Sequence, residues 1–297
     1  MSEANLSLGI DIGGTRIKAV ATQTDGTLVD QRVEGSVSNV PALIEIVTEL
    51  VNSFDLGEVP LGISAPGIAS RDNRSIAWMR GRMQAVEGLK WCEHLGRDVW
   101  VLNDAHAATL AEACIGAARG HSNVLLLTLG TGVGGGVILN GQLLQGATGR
   151  AGHLGHIALD QNASPDIVGI PGSLEDCIGN HNIYERSGHR FSSTTKLLEA
   201  MQAGDAQARE CWEKSVRGLA VGIASLVNCF DPELVVLGGG VSVAQSLLFD
   251  PLQQYLDRFE WRPHGVGVPV VPAKLGELAG AIGAARFAAL RFVEKSL

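Results

Sequence analysis

The stretch "LLLTLGTGVGGGVILNG", residues 125–141, constrains the fold more than any other: an apolar strand runs into crowded glycines and a second strand follows at once. Gly130, Gly132 and Gly135 spell G-x-G-x-x-G directly after a strand. In a dinucleotide-binding fold such glycines open a helix, whose N-terminus and turn amides hold the pyrophosphate. Here "GVILNGQLL" follows instead, a strand and then an Asn140–Gly141 hairpin turn, which excludes the dehydrogenase fingerprint. No G-x-x-x-x-G-K-[ST] occurs, which excludes a P-loop. What remains is a strand–glycine–strand hairpin that offers bare backbone N–H groups to a phosphate.

The N-terminus follows the same logic. "LSLGIDIGGT" and "RIKAVAT" read as strands around the Gly13–Gly14 pair, and Asp25–Gly26 turns into a third strand, "TLVDQRVE". Residues 6–34 and 124–145 therefore repeat one architecture without close sequence identity. Between them, Leu43, Ile44, Val47, Leu50 and Val51 predict a helix from Val40 to Phe54. "VPLGISAPG" reads as a buried strand ending in a Pro–Gly turn, and "DVWVLNDAHAATLAEACIGAARG" as strand, polar junction and helix. Residues 70–98 stay open, with "IAWMRGRM" readable as a strand or an irregular loop. Further helices are expected over 174–187, 194–202, 205–230 and 243–257. "PELVVLGGGVS" is a buried strand breaking into glycines, and "ELAGAIGAARFAALRFVEKSL" a closing amphipathic helix.

Two opposed phosphate hairpins are the arrangement of an α/β, two-domain actin-like ATPase (ribonuclease H-like) fold, with a duplicated mixed sheet and an interdomain cleft. The repeat alone sets the expected domains: 1–118, with the first phosphate motif, and 119–297, with the last helix able to pack back on the first domain. A chain of 297 residues has room for both. Its net charge of −8, with no block of Lys or Arg, argues against a nucleic-acid footprint. No basic-then-apolar leader and no run of ~20 apolar residues is visible, so a cytoplasmic protein off the membrane is expected. Cys92, Cys114, Cys177, Cys211 and Cys229 are scattered without a C-x-x-C spacing and read as reduced, structural thiols.

The sequence resembles the ROK family of repressors and sugar kinases. It carries "GIDIGGTRIKAV", "SAPG", "LNDAHAATLAE", "LGTGVGGGVI", "GHLGH" and "LGGGVS" in order, from residue 8 to about residue 290. Any one of these is weak alone; six in sequence are specific. The resemblance implies ATP and Mg²⁺, the metal bound mainly through phosphates, and a homodimer. It also implies that Asp104 is the base that takes a sugar hydroxyl proton, whereas local sequence allows Asn103 or Asp104 to be a helix cap. Asp11 would help hold the Mg²⁺–phosphate assembly, and Gly13, Gly14 and Thr15 would face phosphate oxygens. Lys18 either adds charge there or is a solvated strand lysine. Thr131, Gly132 and Gly134 would face the nucleotide, and Gly239 and Gly240 either let adenosine lie on the backbone or form a strand-end turn. The sugar set would be Ala65, Pro66, Gly67, Asn103, Asp104, His153, His156 and Glu175, for which a surface helix residue is the plain alternative at Glu175.

The chain also departs from the family. Where many members carry the zinc-binding C-x-C-G-x-x-G-C-x-E, this chain has "DIVGIPGSLE", with Asp166, Val168 and Ser173 in the cysteine positions. No thiolate remains, so no structural zinc is expected. His153 replaces a usual glutamate and His106 a usual asparagine, which puts plain glucose specificity in doubt. Arg80 and Arg82 are either solvated or, with His153, suited to a substrate carboxylate. An ATP-dependent kinase of a hexose or hexose derivative is the leading expectation, and an inactive sugar-binding protein the alternative. A repressor would need a DNA-binding domain ahead of Asp11, for which the sequence leaves no room.

Overall fold

The computed structural model describes residues 6–80 and 83–296. In chain order, β1 (Leu6–Ile12), β2 (Arg16–Gln23) and β3 (Leu28–Gly35) form an antiparallel meander, followed by α1 (Val40–Ser53) and β4 (Leu61–Ala65). A small hairpin of β5 (Ile68–Ala69) and β6 (Ile76–Trp78), then α2 (Trp91–Leu95), leads to β7 (Val99–Asn103) and α3 (Asp104–Cys114). The pattern restarts with β8 (Val124–Leu129), β9 (Val133–Leu139) and β10 (Gln142–Leu143). The helices α4 (Leu174–Ile178), α5 (Ile183–Arg186), α6 (Thr194–Gln202) and α7 (Ala206–Phe230) follow. The chain closes with β11 (Leu234–Gly238), α8 (Ser246–Phe259), β12 (Val270–Pro272) and α9 (Ala279–Ser296).

Two mixed five-stranded sheets result, ordered β3-β2-β1-β4-β7 and β10-β9-β8-β11-β12. In each, the first strand pairs antiparallel with its hairpin partner and parallel with a later strand, β1 with β4 and β8 with β11. The duplicated mixed sheet read from the sequence is therefore present. Near-continuous apolar runs such as Leu61–Ala65 and Leu234–Gly238 are buried along their whole length, as parallel strands covered on both faces must be. Asn140 and Gly141 both adopt positive φ, the twist that matches a two-residue hairpin, although β10 is cut to two residues.

Local rules explain most helix ends. Asn39 caps α1 by accepting from the Ala42 amide, and Asp205 caps α7 through the Gln207 and Ala208 amides. The helix expected over 174–187 is broken: Gly179 is extended, and a 3₁₀ turn at Asn180–Asn182 separates α4 from α5. The helix expected from 243 begins at Ser246, after a 3₁₀ turn at Gly240–Ala244 and a left-handed Gln245. The open stretch of 70–98 holds β6, a 3₁₀ turn at Gln84–Val86 and α2, while Arg82 lies outside the described residues.

The described residues group into two compact units. One contains the chain up to Gly120 together with Gln142–Gly152 and the residues from Lys274 on; the other contains His121–Gly141 and His153–Ala273. Two segments beyond residue 118 group with the first unit, 142–152 and the last helix that the sequence leaves able to pack back, and both have visible causes. His106 Nε2 lies 2.8 Å from the Ala151 carbonyl, which ties the 142–152 segment to α3. The last helix uses small residues to come close: a Cβ on Gly9 would stand 1.9 Å from the Ala281 carbonyl, and one on Gly283 would stand 1.7 Å from that of Ala107. Such seams of glycine and alanine let backbones pack without a gap. Buried Glu112 secures the same return, its carboxylate accepting from the Lys274 and Leu275 amides at 2.8 Å each.

Candidate active site

In the first unit, β1, β4 and β7 run parallel and end side by side. Asp11 is in register with Ser64, and Ala65 with Asn103. The carboxyl ends of parallel strands are where open α/β sheets place their ligands. Asn103 is the cap of α3: its Oδ1 accepts from the Ala105 and His106 amides, at 2.9 and 3.1 Å. Its Nδ2 donates to the Gly67 carbonyl and to Asp104 Oδ1, both at 2.9 Å. The capping alternative thus falls to Asn103, and Asp104 occupies the first turn of the helix with its Oδ1 also accepting from the Ala105 amide at 2.8 Å.

Both carboxylates in this corner are pushed up. Burial raises Asp104, against the pull of its hydrogen bonds from Ala105 and Asn103. Burial and then the charge of Asp104 raise Asp11 to about 6, opposed by Ser64 and Lys18. Ser64 Oγ donates to Asp11 Oδ1 at 2.8 Å, and Lys18 Nζ stands 3.9 Å from Oδ2. Lys18 is mostly buried, so it is not the solvated strand lysine. Gly280, in the first turn of α9, completes the corner: a Cβ there would come within 2.7 Å of the Asp11 carboxyl. That residue was not readable as part of a site, because nothing near it in sequence shows what packs on it.

Gly13 closes the first hairpin turn through its amide to the Arg16 carbonyl, at 3.0 Å, with Gly14 and exposed Thr15 at the tip. Pro66 and Gly67 follow β4 directly. Gly67 has φ +105°, and a Cβ on it would meet the Trp78 carbonyl at 2.6 Å, so the turn requires glycine. Arg80 is exposed and its guanidinium lies over the Trp78 ring, 5.5 Å from the centroid. His106, by contrast, is fully buried and faces the 142–152 segment. Burial pushes its imidazole below the usual range.

In the second unit, the tip of the β8–β9 hairpin is Gly130, Thr131 and Gly132, with Gly134 the second residue of β9, paired with Thr128. The segment around α4 braces it. The Asn180 amide donates to the Gly130 carbonyl at 2.9 Å and the His181 amide to that of Thr131 at 2.8 Å. Glu175 Oε2 accepts from the Val133 amide at 2.8 Å, filling the space where a Cβ on Gly132 would lie 2.1 Å away. Gly239, at φ +84°, lets β11 turn against β8, since a Cβ there would stand 2.4 Å from the Leu129 carbonyl. Beside this tip a cavity of about 580 Å³ is lined by Thr131, Asn180, Thr194, Glu199, Gly240 and Val243 among others. Asn180 and Thr194 carried no sequence signal; the Asn180 side chain accepts from the Thr194 amide at 2.7 Å.

His153 and His156 lie with parallel rings, 6.5 Å between centroids. His156 Nδ1 is 3.7 Å from the buried Asp166 Oδ2. Burial works to raise Asp166, but hydrogen bonds from the Ile170 amide, Ser173 and the Val168 amide, with the His156 charge, hold it below the usual range. An internally bonded carboxylate therefore organises the 166–170 loop, and Ser173 caps α4. Among the described residues no group of three His, Cys, Asp or Glu side chains is placed to hold a metal, and no helix is long and apolar enough to cross a membrane.

The ROK family model matches residues 7–290. The chain belongs to the ROK family. A glucokinase of Thermotoga maritima is 31% identical over 94% of this chain and 95% of the relative. The ROK hexokinase of Thermus thermophilus superposes with a TM-score of 0.86 at 32% identity, covering 97% of this chain and 99% of that one. A ROK glucokinase of Streptomyces griseus, solved with glucose and AMPPNP, gives 0.78 at 28% identity over 96% and 99%. A xylose repressor of Bacillus subtilis is also related, 24% identical over 95% of this chain and 76% of the repressor. The chain is thus an actin-like ATPase fold with sugar-kinase relatives.

Proposed function

We propose that this ROK protein is an ATP-dependent kinase that transfers the γ-phosphoryl group to a hydroxyl of a hexose or hexose derivative. The observation that carries the reading is Asp104: a buried carboxylate at the end of a parallel strand, with its pKa raised and Oδ1 fixed by Asn103 and Ala105. A base held in one orientation, and raised toward working pH, suits the removal of a hydroxyl proton. Asp104 takes that proton as the sugar oxygen attacks, while Asn103 holds the Pro66–Gly67 turn against the same strand end. Phosphoryl transfer needs little more from a protein than such positioning and charge stabilisation.

Gly13, Gly14 and Thr15 present amides and a hydroxyl to phosphate oxygens, and Thr131, Gly132 and Gly134 do so on their own hairpin. Gly239 and Gly240 admit the adenosine. Mg²⁺ fits Asp11, a carboxylate raised by burial and then by the charge of Asp104, and the metal would offset that charge when it arrives with the nucleotide. Ala65, His153, His156, Glu175 and Arg80 complete the proposed sugar set. The test is ADP release from Mg-ATP over a panel of glucose, mannose, fructose, their N-acetylamino forms and sugar acids. Release that depends on one sugar, and vanishes in Asp104→Asn, names the substrate; faster turnover of a sugar acid than of glucose would assign Arg80 and His153 to a substrate carboxylate. Sugar binding with no release across the panel contradicts the kinase reading.

A further inference from the structure

At the end of α3 remote from Asp104, the first unit holds a cavity of about 420 Å³ that no residue of the proposed site lines. Its walls are the Asp25–Gly26 turn between β2 and β3, the last turn of α3 and the middle of α9. Cys114 Sγ donates to the Asp25 carbonyl at 3.0 Å. Gly26, at φ +92°, lies so close to α3 that a Cβ on it would stand 3.2 Å from Cys114 Sγ and from Ile115 Cγ2. Arg286 reaches across from α9, and its Nη1 donates to the Thr24 carbonyl. Side-chain and backbone bonds therefore tie the three walls together.

The charge of this cavity is opposite to that of the chain. The protein carries −8 overall, yet Arg119 and Arg286 both line the space against a single acid, Asp25. Asp25 Oδ1 already accepts from the Thr27 amide at 2.9 Å, and among the described residues neither guanidinium forms an ion pair. A guanidinium has five N–H donors in a fork that matches phosphate and carboxylate oxygens. One fork suffices for a carboxylate; two suit a dianion with three terminal oxygens. Thr24 and Thr27 bring hydroxyls to the same space. We propose that this cavity binds a phosphate group, free or as the monoester of a small metabolite, between Arg119 and Arg286. Its volume falls among those of small-molecule sites, roughly 300–1,000 Å³, and leaves room for the rest of a monoester. The site is separate from the phosphate hairpins. Asp104 and Cys114 stand at opposite ends of the eleven-residue α3, about 15 Å apart at 1.5 Å per residue. It does not rest on the kinase reading.

Calorimetric titration of inorganic phosphate and of a hexose 6-phosphate into the full chain, with and without saturating Mg-AMPPNP, tests it. At least one of the two should still bind beside the nucleotide analogue, and the tighter names the source, free phosphate or monoester. Arg119→Ala removes an exposed guanidinium that has no ion pair among the described residues, and it should weaken that binding roughly tenfold, the loss of one charge-assisted contact. Arg286→Gln should do the same and the double variant should not bind, with thermal unfolding of each measured alongside. Should Arg286→Gln fail to fold, wild type against Arg119→Ala decides the matter. Binding that Mg-AMPPNP displaces completely, or an affinity unchanged in Arg119→Ala, overturns the site and leaves the kinase reading standing. Binding of neither ligand by wild type overturns it as well.

Discussion

The two glycine hairpins share one architecture but are supported in opposite ways. The first is held by a turn bond from the Gly13 amide and by the Ser36 amide on the Thr15 carbonyl, and stands beside charge: Asp11, Lys18 and Asp104 meet at the end of β1 and β7. The second is ringed by backbone bonds from the α4 segment and by Gly239 packed on β8. Buried like charges raise each other's pKa and work against the folded state, whereas satisfied amides rigidify it. On the proposed kinase reading the duplication divides labour, with chemistry on the first hairpin and positioning on the second.

The largest structural effect should come from the rigid side. Gly239→Ala places a Cβ 2.4 Å from the Leu129 carbonyl at φ +84°. It should cost about 2–4 kcal/mol, read by denaturant unfolding. An unchanged midpoint would break the claim that this hairpin is held tightly. Asp11→Asn should act in the other direction, abolishing activity while stabilising the protein by about 1–3 kcal/mol at neutral pH. The folded pKa of Asp11, about 6, lies above its ordinary 3.8. Stability from this group is therefore full below pH 3.8 and lost as pH rises through about 6. The variant's advantage should shrink between neutral pH and pH ~4.5; an advantage independent of pH would show that charge is not what burdens the first hairpin. Glu175→Gln is the mildest probe. Its amide oxygen can still accept from Val133, so stability should fall by about 1 kcal/mol or less; as a change in a member of the proposed sugar set that also braces the second hairpin, it should raise KM for sugar and for ATP a few-fold with kcat nearly kept. A fall in kcat with an unchanged KM would move Glu175 to the chemical side.

The sequence made the duplicated sheet legible because its cues are local: strands, Asx–Gly turns and caps each occupy a few residues. The Asn140–Gly141 turn and the Asp104 junction are of this kind. What stayed hidden depends on distant partners. Glu175 is bonded to an amide 42 residues away, and buried His106 to a carbonyl 45 away, so neither environment could be read from its neighbours. The break at Gly179 belongs with them, since the Asn180 and His181 amides that leave the helix go to the β8–β9 tip. The return of 142–152 to the first unit rests on such a long-range contact too, whereas the return of the last helix is one the sequence leaves open.

The central claim is that the chemistry belongs to Asp104 and the first hairpin. Single-turnover phosphoryl transfer at saturating Mg-ATP and sugar, for wild type and Asp104→Asn, tests it most directly. The account predicts a loss of roughly 10²–10⁴-fold in the variant with Mg-ATP affinity kept, as for removal of a general base. Transfer within tenfold of wild type in the variant would contradict it.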